Sequence, residues 1–172
     1  MLNLKPSYLA EGNINDISFD VFREHGVNCL LIDLDNTLMI RQEGTMRQSI
    51  IDWLREALRL GFKLMVVTNN NRRDYLKGVQ GILDKYSLKM ISDAGKPSPS
   101  KLQQAMEMLD AKSEETCLIG DRVLTDIWGG QKAQIKTILV PPLSGREEFW
   151  LLRFLRQIEY LFLDKSVERP SV

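Results

Sequence analysis

Apolar residues along the chain fall in short unbroken runs that alternate with stretches of helical period. Residues 29–32 (CLLI), ending in Asp33, read as a strand buried on both faces. The segment Arg47–Leu60 places Ile50, Leu54, Ala57 and Leu58 on one face and is followed by Gly61, a natural residue just past a helix end. The same alternation then predicts a strand over Lys63–Thr68, a helix over Arg72–Leu83 and a short strand over Leu88–Ile91. Ser98 reads as a helix cap with Pro99 at the first helical position, opening a helix to about Leu109. A strand over Thr116–Ile119, a helix over Leu124–Ala133, a strand over Thr137–Val140 and a last helix over 146–163 complete the pattern. Neither an internal repeat nor a low-complexity segment interrupts it.

Strand and helix in regular alternation imply an α/β, Rossmann-like three-layer sandwich: a parallel sheet with helices on both faces. Such sheets bind ligands outside the carboxyl ends of their strands, near the point where strand order reverses. The polar residues directly after each strand therefore carry the functional information.

A length of 172 residues suits one compact domain with a real core. With 44% apolar and 27% charged residues the chain is of average globular composition, which excludes disordered, collagen-like and disulfide-framework proteins. The balance of 23 Lys+Arg against 23 Asp+Glu argues against a general nucleic-acid binder. That balance is uneven along the chain. Residues 62–101 hold eight bases (Lys63, Arg72, Arg73, Lys77, Lys85, Lys89, Lys96, Lys101) and three acids, which read either as a solvated helix face or as a local field that draws an anionic phosphate or lipid surface. Cys29 and Cys117 lack CxxC spacing and sit in apolar runs, as buried free thiols do. The longest uncharged stretch, Thr137–Gly145, has nine residues, too few to span a bilayer, and no secretory signal opens the chain. His25 reads as a loop or core-edge residue.

The strand ends supply a specific set of groups. The first delivers Asp33, Asp35, Asn36 and Thr37, the second Thr68, Asn69 and Asn70, and Lys96 precedes the helix that follows Ser98. The strand over Thr116–Ile119 runs into Gly120 and Asp121, with Asp126 five residues further. Carboxylates gathered at one site repel one another unless a cation sits among them, and Mg²⁺ suits hard oxygen ligands and phosphate. In that setting Asp33 is placed to attack phosphorus and Asp35 to act as general acid and base. Lys96 and Thr68 hold phosphoryl oxygens. Asn69 reads as a substrate-side contact or, like Asn36, as a turn-shaping or supporting residue, and Arg122 reads either as a group that reaches substrate or as a surface arginine.

These residues resemble the four motifs of the haloacid dehalogenase (HAD) superfamily of phosphatases: DLDNT at 33–37, VVTNN at 66–70, AGKPSP at 94–99 and GDRVLTDI at 120–127. The resemblance covers about residues 25–140. It implies Asp33 as nucleophile, Asp35 as acid/base, and a Mg²⁺ site made by Asp33, the main-chain carbonyl of Asp35 and Asp121. Asp126 matches the second acid of the last motif, which supports the metal or orients the lysine. Only 32 residues separate Asp35 from Thr68 and 27 separate Thr68 from Lys96, so no cap domain fits and the substrate is expected to be large or presented on a surface. The lead-in LKPSYL and the TILVPP segment are similar to the YqeG-like branch, subfamily IIIA, whose members include phosphatidylglycerophosphate phosphatases.

The expected activity is thus Mg²⁺-dependent hydrolysis of a phosphomonoester through an aspartyl-phosphate, with a lipid headgroup as substrate, in the cytoplasm and peripherally at the inner membrane face. Alternatives are a phosphatase for nucleic-acid ends, phosphoproteins or sugar phosphates, and a non-catalytic module on the same fold. A homo-oligomer that lends a lid is compatible with an open site. Residues 149–163 (FWLLRFLRQIEYLFL) admit two readings: a core helix against the sheet edge, or an interfacial helix with Trp150 and Phe154 in a bilayer.

Overall fold

Continuous apolar runs become strands here because both faces of the sheet are covered. The computed structural model describes residues 4–40, 43–144 and 158–163. Its strands are β1 (Tyr8–Leu9), β2 (Cys29–Ile32), β3 (Lys63–Val67), β4 (Lys89–Ile91), β5 (Thr116–Gly120) and β6 (Lys136–Leu139). They form a six-stranded sheet in the order β1-β6-β5-β2-β3-β4, parallel at every pairing. Helices α1 (Phe19–Glu24), α2 (Gln48–Arg59), α3 (Arg73–Leu83), α4 (Ser100–Met108) and α5 (Trp128–Lys132) connect them.

The period-two alternation of each strand splits the core in two. Leu30 and Ile32 of β2, Leu64 and Val66 of β3, and Cys117 and Ile119 of β5 face a layer built from Ile50, Trp53, Leu54 and Ala57 of α2 and Leu76, Val79 and Leu83 of α3. Cys29, Leu31, Met65, Val67 and Leu118 point the other way, onto Leu102, Ala105 and Met106 of α4. Each fully buried Leu, Ile, Val or Phe side chain contributes about 1.5–3 kcal/mol, so the central strands are the most strongly held. Both thiols are buried and free, as expected.

Two elements lie beyond those the periodicity predicts. The two-residue β1 adds to the edge of β6, pairing Tyr8 with Ile138. The short α1 brings Phe19 and Phe22 against Trp53 and Phe62, with the Phe19 and Trp53 rings stacked at 5.0 Å. His25 closes that helix and lies exposed, its Nδ1 at 2.8 Å from the Val21 carbonyl. Helix α4 starts one residue later than expected: Pro99 holds the cap position and the Ser98 hydroxyl lies 3.5 Å from Ser100 N.

The stretch expected as one helix over 124–133 is two structures. Val123–Ile127 form a π-helical turn, with both Asp126 N and Ile127 N directed at the Arg122 carbonyl, and α5 continues from it. Widening the turn drives the Asp126 carboxylate against the end of β5. A Cβ on Gly120 would stand 2.3 Å from Asp126 Cγ, so only glycine fits there.

Of the expected final helix, residues 146–157 lie outside the described residues, and with them Trp150 and Phe154 of the bilayer reading. Residues 158–160 are helical and 161–163 turn back to the sheet, where the Phe162 carbonyl accepts from Leu4 N at 2.9 Å. Tyr160, Phe162 and Leu163 pack on Leu4, Val123, Ile127 and Leu139. No described helix is long and apolar enough to cross a membrane.

Candidate active site

Strand order reverses between β2 and β5: β3 and β4 lie to one side, β6 and β1 to the other. Asp33 leaves the end of β2 with its N–H bonded to the Ile119 carbonyl of β5 at 2.9 Å, and Asp121 leaves the end of β5. The reversal therefore brings two carboxylates, 88 positions apart in sequence, to one crevice.

Asp33, Asp121 and Asp126 are all buried, and each offers a carboxylate oxygen within 4.8 Å of the others'. Lys96 joins them from the loop before α4. Its Nζ donates to Asp33 Oδ1 at 2.6 Å, to Asp126 Oδ1 at 2.6 Å and to the Val67 carbonyl at 2.8 Å, which uses its three protons. Burial works against the lysine's charge, but Asp126 and Asp33 outweigh it and hold the ammonium protonated well above the ordinary lysine range. Asp33 is pushed well above the ordinary carboxylate range by burial, with Asp126 and Asp121 adding to the effect and Lys96 opposing it. Three buried carboxylates around one ammonium gather hard oxygens at one point, a donor set that fits a divalent cation such as Mg²⁺.

Asp126 is fixed from two sides, by Lys96 on Oδ1 and by the Arg122 N–H on Oδ2 at 3.1 Å. Thr68, buried at the end of β3, accepts from Asn70 N on its hydroxyl at 3.1 Å. Asn69 stands beside the lysine. Its Nδ2 donates to the Lys96 carbonyl and its Oδ1 accepts from Lys96 N, so the amide positions the lysine's main chain. Asn36, at φ 65, takes the left-handed step of the turn after β2 and donates its N–H to the Met39 carbonyl at 2.8 Å.

Asp35, expected as acid/base with only its main-chain carbonyl on the metal, carries its side chain apart from the cluster. Its carboxylate is not one of the three clustered acids; Oδ2 accepts from Asn70 Nδ2 and Oδ1 from the Tyr75 hydroxyl, both at 2.8 Å. The donors come from the loop before α3 (Asn70) and from its first turn (Tyr75), and they hold a half-buried carboxylate. The sequence carries no signal for Tyr75, since a lone tyrosine on an amphipathic helix reads only as partly buried packing. Arg122 also differs from a free surface arginine: it is ion-paired with the buried Glu159, 37 positions away.

A family model described as HAD-hydrolase-like matches residues 93–148. The chain is 33% identical over 147 residues to a protein of Bacillus subtilis named Probable phosphatase YqeG, covering 86% of this chain and 83% of that one. It is 37% identical over 105 residues to the pyrophosphatase PpaX of Bacillus cereus, where the match covers 58% of this chain and 48% of the relative, so it spans about half that protein's length. Among solved structures, YfnB of Bacillus subtilis, bound to magnesium, superposes with a TM-score of 0.52 at 17% identity, over 66% of this chain and 86% of that one. At that identity the likeness is one of fold.

Proposed function

The chain belongs to the HAD superfamily of phosphatases together with YqeG, and from that membership we propose that it is a Mg²⁺-dependent phosphomonoester hydrolase for phosphatidylglycerophosphate, working at the cytoplasmic face of the membrane. The observation that carries the chemistry is Lys96 Nζ at 2.6 Å from both Asp33 and Asp126, in a group completed by Asp121 at the reversal of strand order.

In the proposed reaction a carboxylate oxygen of Asp33 attacks phosphorus in line as the bond to the leaving alcohol breaks. Asp35 turns from Asn70 and Tyr75 to give that alcohol its proton. It then takes a proton from water, whose oxygen bonds to phosphorus while the aspartyl–phosphate bond breaks, releasing inorganic phosphate and restoring Asp33. Thr68 and Lys96 receive phosphoryl oxygens, and Asn69 keeps the lysine aligned. Asp33, Asp121, the Asp35 main-chain carbonyl and, through its support, Asp126 would hold Mg²⁺, whose charge when bound offsets that of the carboxylates and the transferred phosphoryl group.

Two features support a lipid. Between Asp35 and Thr68 the described chain is a turn, α2 and β3, and between Thr68 and Lys96 it is α3 and β4, so no inserted domain there roofs the site. Arg72 and Arg73 stand exposed where α3 begins, at the strand-end edge, and neither makes an ion pair among the described residues, whereas Arg23, Arg47, Arg55 and Arg59 each pair with a nearby acid. Positive charge at a helix N-terminus is unfavourable until an anion meets it.

The likeness to PpaX favours a second reading, a soluble phosphate or pyrophosphate substrate. Phosphate release by the purified protein with Mg²⁺ distinguishes the two, using phosphatidylglycerophosphate in mixed micelles beside pyrophosphate and soluble phosphomonoesters. The lipid should be preferred, and Asp33→Asn should abolish release. Preference for a soluble substrate by orders of magnitude overturns the lipid reading alone. No release from any substrate overturns the phosphatase reading.

A further inference from the structure

The carboxylate of Glu159 is among the few buried charges outside the acid cluster, and it comes from the far end of the described chain. Its Oε1 accepts from Arg122 Nε at 2.9 Å and from an Arg122 terminal nitrogen, and its Oε2 accepts from Val123 N at 3.0 Å. Both targets belong to the segment that presents the last two acids. Arg122 directly follows Asp121, its N–H holds Asp126 Oδ2, and Val123 opens the π-helical turn that carries Asp126. A π-helical turn is inherently less regular than an α-helical one and keeps its shape only where the surroundings impose it. Glu159 supplies that constraint in polar form, and Tyr160, Phe162 and Leu163 add to it in apolar form by packing against the cluster that contains Val123 and Ile127.

We infer that Glu159 is a positioning residue of the active site: the C-terminal segment latches the Arg122–Ile127 turn and so fixes the spacing of Asp121 and Asp126 for a divalent cation. The cation part of this inference rests on the Mg²⁺ reading above; the latch itself does not. A latch of this kind makes the site's metal affinity depend on a segment that contributes no ligand.

The geometry favours this over a purely structural ion pair. A carboxylate whose only task is to pair with the half-buried Arg122 would need one oxygen on the guanidinium. Here the second oxygen is spent on the main chain of the turn, at the N–H whose position sets where Asp126 begins its approach to Lys96. Groups that orient metal-binding carboxylates in this way typically govern affinity by about 10–100-fold.

The test uses the full chain and two variants. Glu159→Ala removes both contacts. Glu159→Gln is nearly isosteric, keeps an oxygen for Arg122 and loses the acceptor for Val123 N, so it serves if the alanine variant does not fold. Hydrogen–deuterium exchange, run without metal, should show faster uptake in the peptide spanning 121–127 while β2 and β3 exchange as in the parent. Calorimetric titration with Mg²⁺ should then show binding weaker by about tenfold or more, with Gln between parent and Ala. Unchanged exchange in 121–127, or an increase spread evenly over the sheet, overturns the latch. Faster local exchange with Mg²⁺ affinity equal to the parent's overturns its link to the cation. A parent that binds no Mg²⁺ while the local exchange still changes overturns the metal reading and leaves the latch standing.

Discussion

The side-chain amide of Asn69 closes on the main chain of Lys96 at both ends, donating to its carbonyl at 2.8 Å and accepting from its N–H at 2.7 Å. The residue beside Thr68 thereby sets where the only ammonium of the acid cluster's described surroundings begins. Asn69→Ala should cost about 1–3 kcal/mol for the two partly buried main-chain groups left unmatched. It should also lower kcat by as much as about 100-fold, because small displacements of a positioned group are expensive in rate. Asn69→Asp, which keeps the acceptor and loses the donor, should fall between. Steady-state kinetics and thermal unfolding of both variants check this.

Lys96 is the counter-charge to three buried carboxylates, and its removal should make folding depend on added cation. Breaking a buried pair typically costs about 3–5 kcal/mol. Lys96→Met should therefore unfold at a markedly lower temperature in chelator, recover part of the loss on adding Mg²⁺, and release no phosphate. An unfolding temperature equal to the parent's in chelator would contradict the ion pairing to Asp33 and Asp126.

Which parts of this arrangement were legible in the sequence follows from what each depends on. The central strands are readable because burial on both faces leaves runs such as CLLI and KLMVV with scarcely a polar residue inside them. Asp33, Thr68 and Asp121 are readable as strand-end residues because topology alone carries strand ends to one edge, and Lys96 by its place in the loop between β4 and α4. By contrast, β1 has two residues, and its register is set by a partner strand 130 positions away. The π-helical turn shares its apolar spacing with an α-helix over so short a length, and its distinguishing feature, Asp126 pressed on Gly120, is a tertiary contact. Tyr75 on Asp35 and Glu159 on Arg122 join positions 40 and 37 apart, for which no local spacing rule exists.

Tyr75 should matter to rate more than to stability. Its hydroxyl and the Asn70 amide each hold one oxygen of Asp35, keeping that carboxylate in a single orientation. Tyr75→Phe removes one of the two and should cost about 1 kcal/mol of stability. With its carboxylate free to rotate, kcat should fall by about tenfold while KM stays near the parent value. A change in KM alone would instead place the Tyr75 hydroxyl on substrate.

Gly120→Ala is a sharper test of the acid cluster's packing than any carboxylate substitution, because it leaves every charge in place. The added methyl would stand 2.4 Å from Asp126 Oδ2 and 2.3 Å from its Cγ, so Asp126 must withdraw from Lys96 or β5 must shift. Overpacking of this kind costs about 1–3 kcal/mol. Activity should be lost together with a fall in unfolding temperature, and Mg²⁺ titration should show weakened binding in a folded variant.

The two thiols give the fold a dependence on alkaline pH whose sign is fixed by burial. Cys29 and Cys117 lie on neighbouring strands but face opposite layers of the core, so they cannot reach one another to form a disulfide. Burial raises both above the ordinary 9.0, Cys117 further than Cys29, so both stay protonated in the folded chain where an unfolded chain would release the proton. A raised acid of this kind stabilises fully below the unfolded pKa, and that contribution is lost as pH rises above it, by up to about 1.4 kcal/mol per pH unit for each thiol. Between about pH 8 and 10 the parent should therefore lose stability faster than a Cys29→Ala/Cys117→Ala variant. The cavities in the variant lower its stability by an amount independent of pH, so the difference between the two denaturation curves should shrink steadily over that range. In the native state neither thiol should react with iodoacetamide on the timescale of a free cysteine, and both should react once urea unfolds the chain. Parallel pH dependences, or rapid native labelling, would show the thiols to be accessible and the packing of β2 against β5 to be looser than the geometry requires.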